Sequence, residues 1–296
     1  AGSWDQLVTK AEDEKLDAGD PESPGGRLVV DEERADEPPP ALPYGSAITP
    51  VPLEAEFDTT SADDCFPSAT ETSTPRCVKG KEDGQKTVAV MGDSHSQMLV
   101  PALEEMAQEH DWRIITYTKA SCPMSLEPRK LTDPEERCVE PNKKSIEQVL
   151  EDEPDVIITQ NYSGSTFHGD AVDGYERTFK ELQKSGAQLV VVRDTPIPPT
   201  NKNTPRPRTC VSENMDRPGA CDFTIERGLL DDPAIEAAQR FDDIYVMDLT
   251  DYFCTKDTCP VVAGNSLIYR DGNHVGDTYL KSLIPVMERR LPERLF

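Results

Sequence analysis

The chain has 296 residues, 36% of them hydrophobic, and its 56 Asp and Glu against 31 Lys and Arg give a net charge of −25. That balance repels nucleic-acid phosphates and anionic lipid headgroups, so neither is an expected partner, while neutral sugars and small esters are unaffected. No apolar run approaches the roughly 18 residues that a membrane-spanning helix needs, and no signal-peptide pattern opens the chain.

Residues 1 to 64 hold 17 acids against 4 bases, half of the excess charge in about a fifth of the chain. Ala1-Gly2-Ser3 reads as a cloning scar, so any anchor or signal is expected upstream of it. Residues 1–46 lack apolar periodicity and carry Glu37-Pro38-Pro39-Pro40, the composition of an acidic, Pro-rich linker that is largely disordered. From Ala47 to residue 84 the chain gains apolar residues and its first cysteines, which predicts an ordered extension packed on the main domain. The main domain spans 85–296, its core beginning near Gln85.

From Gln85 onward, short apolar strands alternate with amphipathic helices. The strands are expected at Thr87–Met91, Arg113–Thr118, Asp155–Thr159, Gln188–Arg193 and Ile244–Leu249. The helices are expected at Ser96–Gln108, Asn142–Leu150, Gly169–Lys184, Pro233–Arg240 and Gly276–Arg290. This alternation predicts an α/β fold with a parallel sheet covered on both faces. Two loops are long, Lys119–Pro141 and Thr195–Asp232, and both follow a strand, on the side where α/β folds place their sites.

The eight cysteines fall as sequence neighbours: Cys65 and Cys77, Cys122 and Cys138, Cys210 and Cys221, Cys254 and Cys259. Of the roughly 105 possible complete pairings, four local bridges are the simplest. None of the spacings is Cys-x-x-Cys, and His95, His110, His168 and His274 do not fall in zinc-finger spacing. Disulfides imply an oxidising, extracytoplasmic location, each bridge worth up to about 3 kcal/mol.

Two short motifs carry chemistry. Thr87 to Met91 ends in Gly92-Asp93-Ser94, a strand, a tight turn and a helix opening on a serine. The N–H groups of a helix's first turn lack intrahelical acceptors and can hold an oxyanion. The same residue types also make an ordinary turn with an N-cap. Near the other end stands Tyr269-Arg270-Asp271-Gly272-Asn273-His274, again either a polar turn or a carboxylate three residues before the imidazole it orients. A serine of ordinary pKa becomes nucleophilic near neutral pH only when such an imidazole takes its proton.

Together, Gly-Asp-Ser after the first strand and Asp-x-x-His before the last helix resemble the SGNH (GDSL-type) esterase and acyltransferase superfamily. More narrowly, several further blocks are similar to the SGNH domains fused behind acyltransferase-3 type membrane proteins. These are Gly92-Asp93-Ser94-His95 with Pro101-Ala102-Leu103, Lys119-Ala120-Ser121-Cys122-Pro123, Asp194-Thr195-Pro196, Asp248-Leu249-Thr250, and the 269–274 stretch. Ile48-Thr49-Pro50-Val51-Pro52 and Asp64-Cys65 look like the segment that joins the two parts. The resemblance covers roughly residues 47 to 296.

The resemblance implies a three-layer α/β/α sandwich with a parallel, flavodoxin-like sheet. It implies a serine-dependent O-acyltransferase moving an acyl group, acetyl above all, to a hydroxyl of a cell-surface glycan or glycolipid. Ser94 would be the nucleophile, His274 the general base and acid, and Asp271 the orienting carboxylate, with the Ser94 N–H as one oxyanion donor. No cofactor or metal is implied, because the acyl donor is delivered by an N-terminal acyltransferase-3 type membrane domain. The protein would be monomeric and tethered outside the bacterial plasma membrane. The same chemistry would serve a carbohydrate acetyl esterase, and the same fold a non-catalytic glycan-binding module.

Two superfamily blocks transfer poorly. The second block supplies a glycine N–H, whereas Thr118-Lys119-Ala120-Ser121-Cys122 has none. The third block is Gly-x-Asn-Asp, whereas this chain has Thr159-Gln160-Asn161-Tyr162, leaving Asn161 as an oxyanion donor or a turn residue. A missing donor costs about 3 to 4 kcal/mol in the transition state. Beside the nucleophile, His95 is expected to make a structural hydrogen bond and Asp93 to brace the turn. His110 and His168 read as surface or loop residues, and Arg270 as an ion pair or a substrate contact.

Overall fold

The computed structural model describes residues 48–59, 65–73, 76–130, 137–201 and 204–296. The linker expected over 1–46 lies outside the described residues, as does Asp64. The chain divides into two compact units. Among the described residues, a sheet unit takes those within Thr60–Asp194, Asp231–Asp248 and Arg290–Phe296, and a loop unit takes 48–59 and those within Thr195–Leu230 and Leu249–Arg289.

The sheet unit holds six strands: β1 (Cys77–Gly80), β2 (Lys86–Gly92), β3 (Trp112–Thr118), β4 (Val156–Gln160), β5 (Gln188–Val192) and β6 (Tyr245–Met247). Their order across the sheet is β1-β3-β2-β4-β5-β6. Strands β2 to β6 pair in parallel, in the flavodoxin-like order. The α/β class and the parallel sheet expected from the alternation are therefore found. One strand was not expected: β1 precedes Gln85 and pairs antiparallel with β3, Cys77 opposite Thr116, so the sheet is mixed. Its interior strands are buried on both faces, Val88 to Met91 being wholly inaccessible, which explains their unbroken apolar runs.

Helices cover both faces. On one side, α3 (Val139–Asp152), α4 (Ala171–Leu182) and α5 (Pro233–Ala238) send Ile146, Phe179 and Ile235 into a core shared with Met91, Ile115 and Val191. On the other, α2 (Val100–His110) lies against β1 and β3. A Cβ at Gly80 would stand 2.9 Å from the Ala107 methyl. Trp112, fully buried, donates its indole N–H to the Leu295 carbonyl at 2.9 Å and so fixes the C-terminus.

Two expected helices are broken, each at a proline. Ser96–Gln108 is instead α1 (Ser94–Gln97) followed by α2, with Pro101 in the first turn of the second piece. Gly276–Arg290 is Asp277–Ser282 followed by Ile284–Arg290, with Pro285 just past the break. Proline has no N–H to donate and its ring crowds the carbonyl four residues back, so it opens a helix and does not continue one. The last sheet strand is also shorter than the expected Ile244–Leu249.

The loop unit contains much of the long Thr195–Asp232 excursion, which holds helices Pro207–Glu213 and Ile225–Gly228. Two short strand pairs are antiparallel, Phe223–Thr224 with Thr258–Cys259 and Val262–Ala263 with Ser266–Leu267. All four disulfides form between the sequence neighbours expected. Cys65–Cys77 and Cys122–Cys138 lie in the sheet unit, and Cys210–Cys221 and Cys254–Cys259 in the loop unit.

Candidate active site

In the sheet unit, β2 ends on Gly92 with φ +139°, where a Cβ would meet Ser96 Oγ at 2.4 Å and the Gln160 carbonyl at 2.9 Å. Only glycine makes that turn without displacing β4. Asp93 then caps α1: one carboxylate oxygen accepts from the His95 N–H at 2.9 Å and the other from the Tyr162 N–H at 3.0 Å. Burial pushes this carboxyl up from its ordinary pKa, against the pull of His95 and those two N–H donors. The turn is braced by Asp93, as expected.

Ser94 is the first residue of α1 and half-buried, its carbonyl accepting from Met98 N–H at 3.0 Å. Behind it, Ser96 Oγ lies 2.6 Å from the carbonyls of Met91 and Gln160 and accepts from Gln160 N–H at 2.8 Å. The serine therefore stands on a turn pinned to the end of β4.

In the loop unit, Asp271 and His274 come together as expected. Asp271 Oδ2 lies 2.7 Å from His274 Nδ1, and Oδ1 accepts from the N–H groups of Asn273 and His274 at 2.9 and 2.8 Å. Burial alone would raise the Asp271 pKa, but the imidazole and the two N–H donors outweigh it and hold the carboxyl far below the carboxylate range. An anion held at Nδ1 favours the tautomer that carries its proton on that nitrogen. The pair is partly open, with side chains 19% and 30% exposed.

The loop is held from behind. Tyr269, fully buried, donates its hydroxyl to the Pro196 carbonyl at 2.8 Å, and Tyr269 bridges Val275. Asp58 accepts from Thr278 Oγ1 at 2.8 Å and from the Thr278 N–H, while its carbonyl takes the Asp277 N–H at 3.1 Å. A Cβ at Gly276 would stand 2.2 Å from the Asp58 carboxylate. Thr49 also pairs with this unit, donating to the Asn265 carbonyl and accepting from Leu267 N–H.

The oxyanion candidates divide differently. Asn161 is buried, its Oδ1 accepting from Met124 N–H at 2.6 Å and its Nδ2 donating to Thr159 Oγ1 at 3.0 Å. One amide hydrogen remains. Ser121, which sequence reasoning passed over, has φ +59°, the left-handed region that glycine favours. It stands in the stretch where the superfamily carries its glycine. Its neighbours are engaged, Lys119 N–H on the Gly92 carbonyl and Ala120 N–H on Pro67. Among the described residues the Ser121 N–H meets no acceptor.

Of the remaining expectations, His95 makes a structural contact, with Nδ1 lying 2.5 Å from Asp194 Oδ1. His110 stacks on Trp112 and meets Phe296 edge-on, and His168 is exposed. Arg270 forms no ion pair with Asp271 among the described residues, and its Nε is buried without a partner.

A family model described as "SGNH domain (fused to AT3 domains)" matches residues 61–289. Among solved structures, the chain is similar to the periplasmic domain of the Salmonella ser. Paratyphi A lipopolysaccharide acetyltransferase. That match has 15% identity and a TM-score of 0.53, and it covers 70% of this chain and 84% of the other. No curated protein matches the sequence.

Proposed function

The chain belongs to the SGNH domains that are fused to AT3 domains, and from that membership we propose that it is an extracytoplasmic, serine-dependent O-acyltransferase domain. It passes an acyl group, acetyl above all, to a hydroxyl of a cell-surface glycan or glycolipid. The observation that carries this reading is the Asp271–His274 pair, a carboxylate locked on Nδ1 at 2.7 Å in a chain whose other motif presents Ser94 at a helix start. The four disulfides support an oxidising compartment. The fold shared with a lipopolysaccharide acetyltransferase domain favours a glycan acceptor.

In this mechanism Ser94 Oγ attacks the acyl carbonyl as its proton passes to His274 Nε2. Asp271 steadies the imidazolium so formed. The negative charge on the carbonyl oxygen is met by backbone N–H groups, those of Ser94 and Ser121, with the Asn161 amide as a third donor. Collapse of the intermediate breaks the bond to the donor's leaving group, which takes the proton from His274. A sugar hydroxyl then attacks the acyl-Ser94 ester, giving its proton to His274, and the second collapse returns the proton to Ser94. The acyl donor is supplied by an AT3 membrane acyltransferase domain or partner, and the steps above call on no metal or cofactor.

The test is mass spectrometry of an oligosaccharide incubated with a small acetyl ester and the protein, wild type and Ser94→Ala. Acetylated sugar well above the uncatalysed level with wild type alone is the expected result. Free acetate without acetylated sugar would make the protein an esterase. Failure of Ser94 to label with a fluorophosphonate, alongside sugar binding, would make it a binding module.

A further inference from the structure

The residue after the nucleophile has no role in the mechanism above, yet it is the most completely enclosed titratable group near the serine. His95 has no exposure at all, and Asp194, at the end of β5, is 3% exposed. An imidazole without access to solvent or substrate cannot exchange protons with either, so His95 is no second base.

Its contacts point elsewhere. Asp194 Oδ1 takes His95 Nδ1 at 2.5 Å and Gln160 Nε2 at 3.2 Å, while Oδ2 takes the Ser163 N–H and Oγ, both at 2.8 Å. Four donors on two oxygens leave that carboxylate one orientation. The Asp194 N–H is itself held by Asp232 at 2.9 Å, and the Tyr162 ring covers the imidazole at 5.0 Å between centroids. Burial works to raise the Asp194 pKa, but His95 and the Ser163 donors outweigh it, so the carboxyl lies below its ordinary value and stays an anion.

Ser94 stands between two anchored neighbours. Asp93 ties the turn to the loop after β4 through Tyr162 N–H, and His95 ties it to the end of β5 through Asp194. Anchors on both chain neighbours of one residue restrain the rotation of the helix start that would swing Ser94 Oγ and its N–H together. We propose that His95 and Asp194 are positioning residues, a buried pair that fixes the angle at which the turn presents Ser94. This rests on the reading of Ser94 as nucleophile. Displacing a nucleophile by about 1 Å costs on the order of 100-fold in rate, which sets the scale of the expected effect.

The experiment compares four variants of the whole chain by kcat and KM on a chromogenic acetate ester, by fluorophosphonate labelling rate, and by melting temperature. His95→Leu is expected to lower kcat about 100-fold with KM within about threefold, labelling slowing in step. His95→Asn, whose amide N–H falls where Nδ1–H stood, is expected to recover kcat to within about tenfold of wild type. Val149→Ala, a fully buried core position on α3, controls for stability, and Ser94→Ala for the nucleophile. The inference is overturned if His95→Leu keeps kcat within about threefold while Ser94→Ala is inactive, or if its loss matches that of a core variant of equal melting temperature. Should His95→Leu not fold, Ser163→Ala takes its place, with a fall of about threefold to tenfold expected and an unchanged kcat overturning the inference. Full activity in Ser94→Ala would instead remove the acyltransferase reading itself.

Discussion

Two histidine–aspartate pairs occur in this molecule, and their local geometry is nearly the same. Nδ1 to carboxylate distances are 2.7 Å at His274–Asp271 and 2.5 Å at His95–Asp194. They differ in access to water: side-chain exposures are 19% and 30% in the first pair and 0% and 1% in the second. They differ also in span, three residues against 99. A His–Asp hydrogen bond is therefore no sign of catalysis by itself. The open pair can pass a proton to something outside, whereas the closed pair can only hold its surroundings still.

The comparison predicts that the same kind of substitution costs activity with little stability at the open pair, and stability together with activity at the closed one. The largest effect is at the open pair and on activity. His274→Ala, like Ser94→Ala, should lower turnover of an acetate ester by at least about 1,000-fold. It should lower the unfolding free energy by less than about 1 kcal/mol, as loss of a partly exposed pair does. Asp271→Asn should follow with a kcat loss of about 100-fold or more, since the amide no longer dictates the imidazole tautomer. Activity retained in Asp271→Asn would erase the distinction between the pairs.

At the closed pair the first loss is stability. His95→Leu leaves the buried Asp194 carboxylate with Gln160 and Ser163 but takes away its imidazole partner, at a cost of about 3 kcal/mol in urea denaturation. A loss as small as at His274 would mean that the buried His95–Asp194 contact does not hold its surroundings in place.

The smallest effect is a dependence on pH near the closed pair. Asp232, whose Oδ2 holds the Asp194 N–H, has its pKa raised to about 6 by burial. Because that value lies above the unfolded one, the folded chain holds the proton more tightly. Stability from this group is present below about pH 4 and lost as pH rises through 6, on the order of 2 kcal/mol. Asp232→Asn should flatten that interval in melts recorded from pH 4 to 7.5. An unchanged slope would locate the effect in Asp222, which burial also lifts to about 6.

The same contrast explains what the sequence revealed. Asp271 and His274 were legible because the whole arrangement closes within four residues, an aspartate bonding the N–H groups two and three positions on. Ser94 was legible because strand, glycine and N-cap are contiguous. The four interior parallel strands, β2 to β5, announced themselves as apolar runs, since both of their faces are covered, whereas the edge strand β6, with Tyr245 exposed, came out shorter than its pattern. Strand β1 showed no such run, because only Val78 breaks a polar stretch and three of its four residues are merely half-buried. The His95–Asp194 contact spans 99 residues and leaves no local pattern. Ser121 adopts a backbone usually given to glycine without being one, so no residue type marks it. Pro101 and Pro285 were visible in the sequence, but the apolar periodicity running through them hid the breaks they impose.

The segment leading into the domain leaves a mark of its own on the histidine loop. Because the Asp58 carboxylate occupies the space beside Gly276 where any side chain would begin, positions 58 and 276 constrain each other's evolution. Relatives that keep an aspartate at the first should keep glycine at the second, and a lineage that gains a side chain at 276 should already have lost the carboxylate.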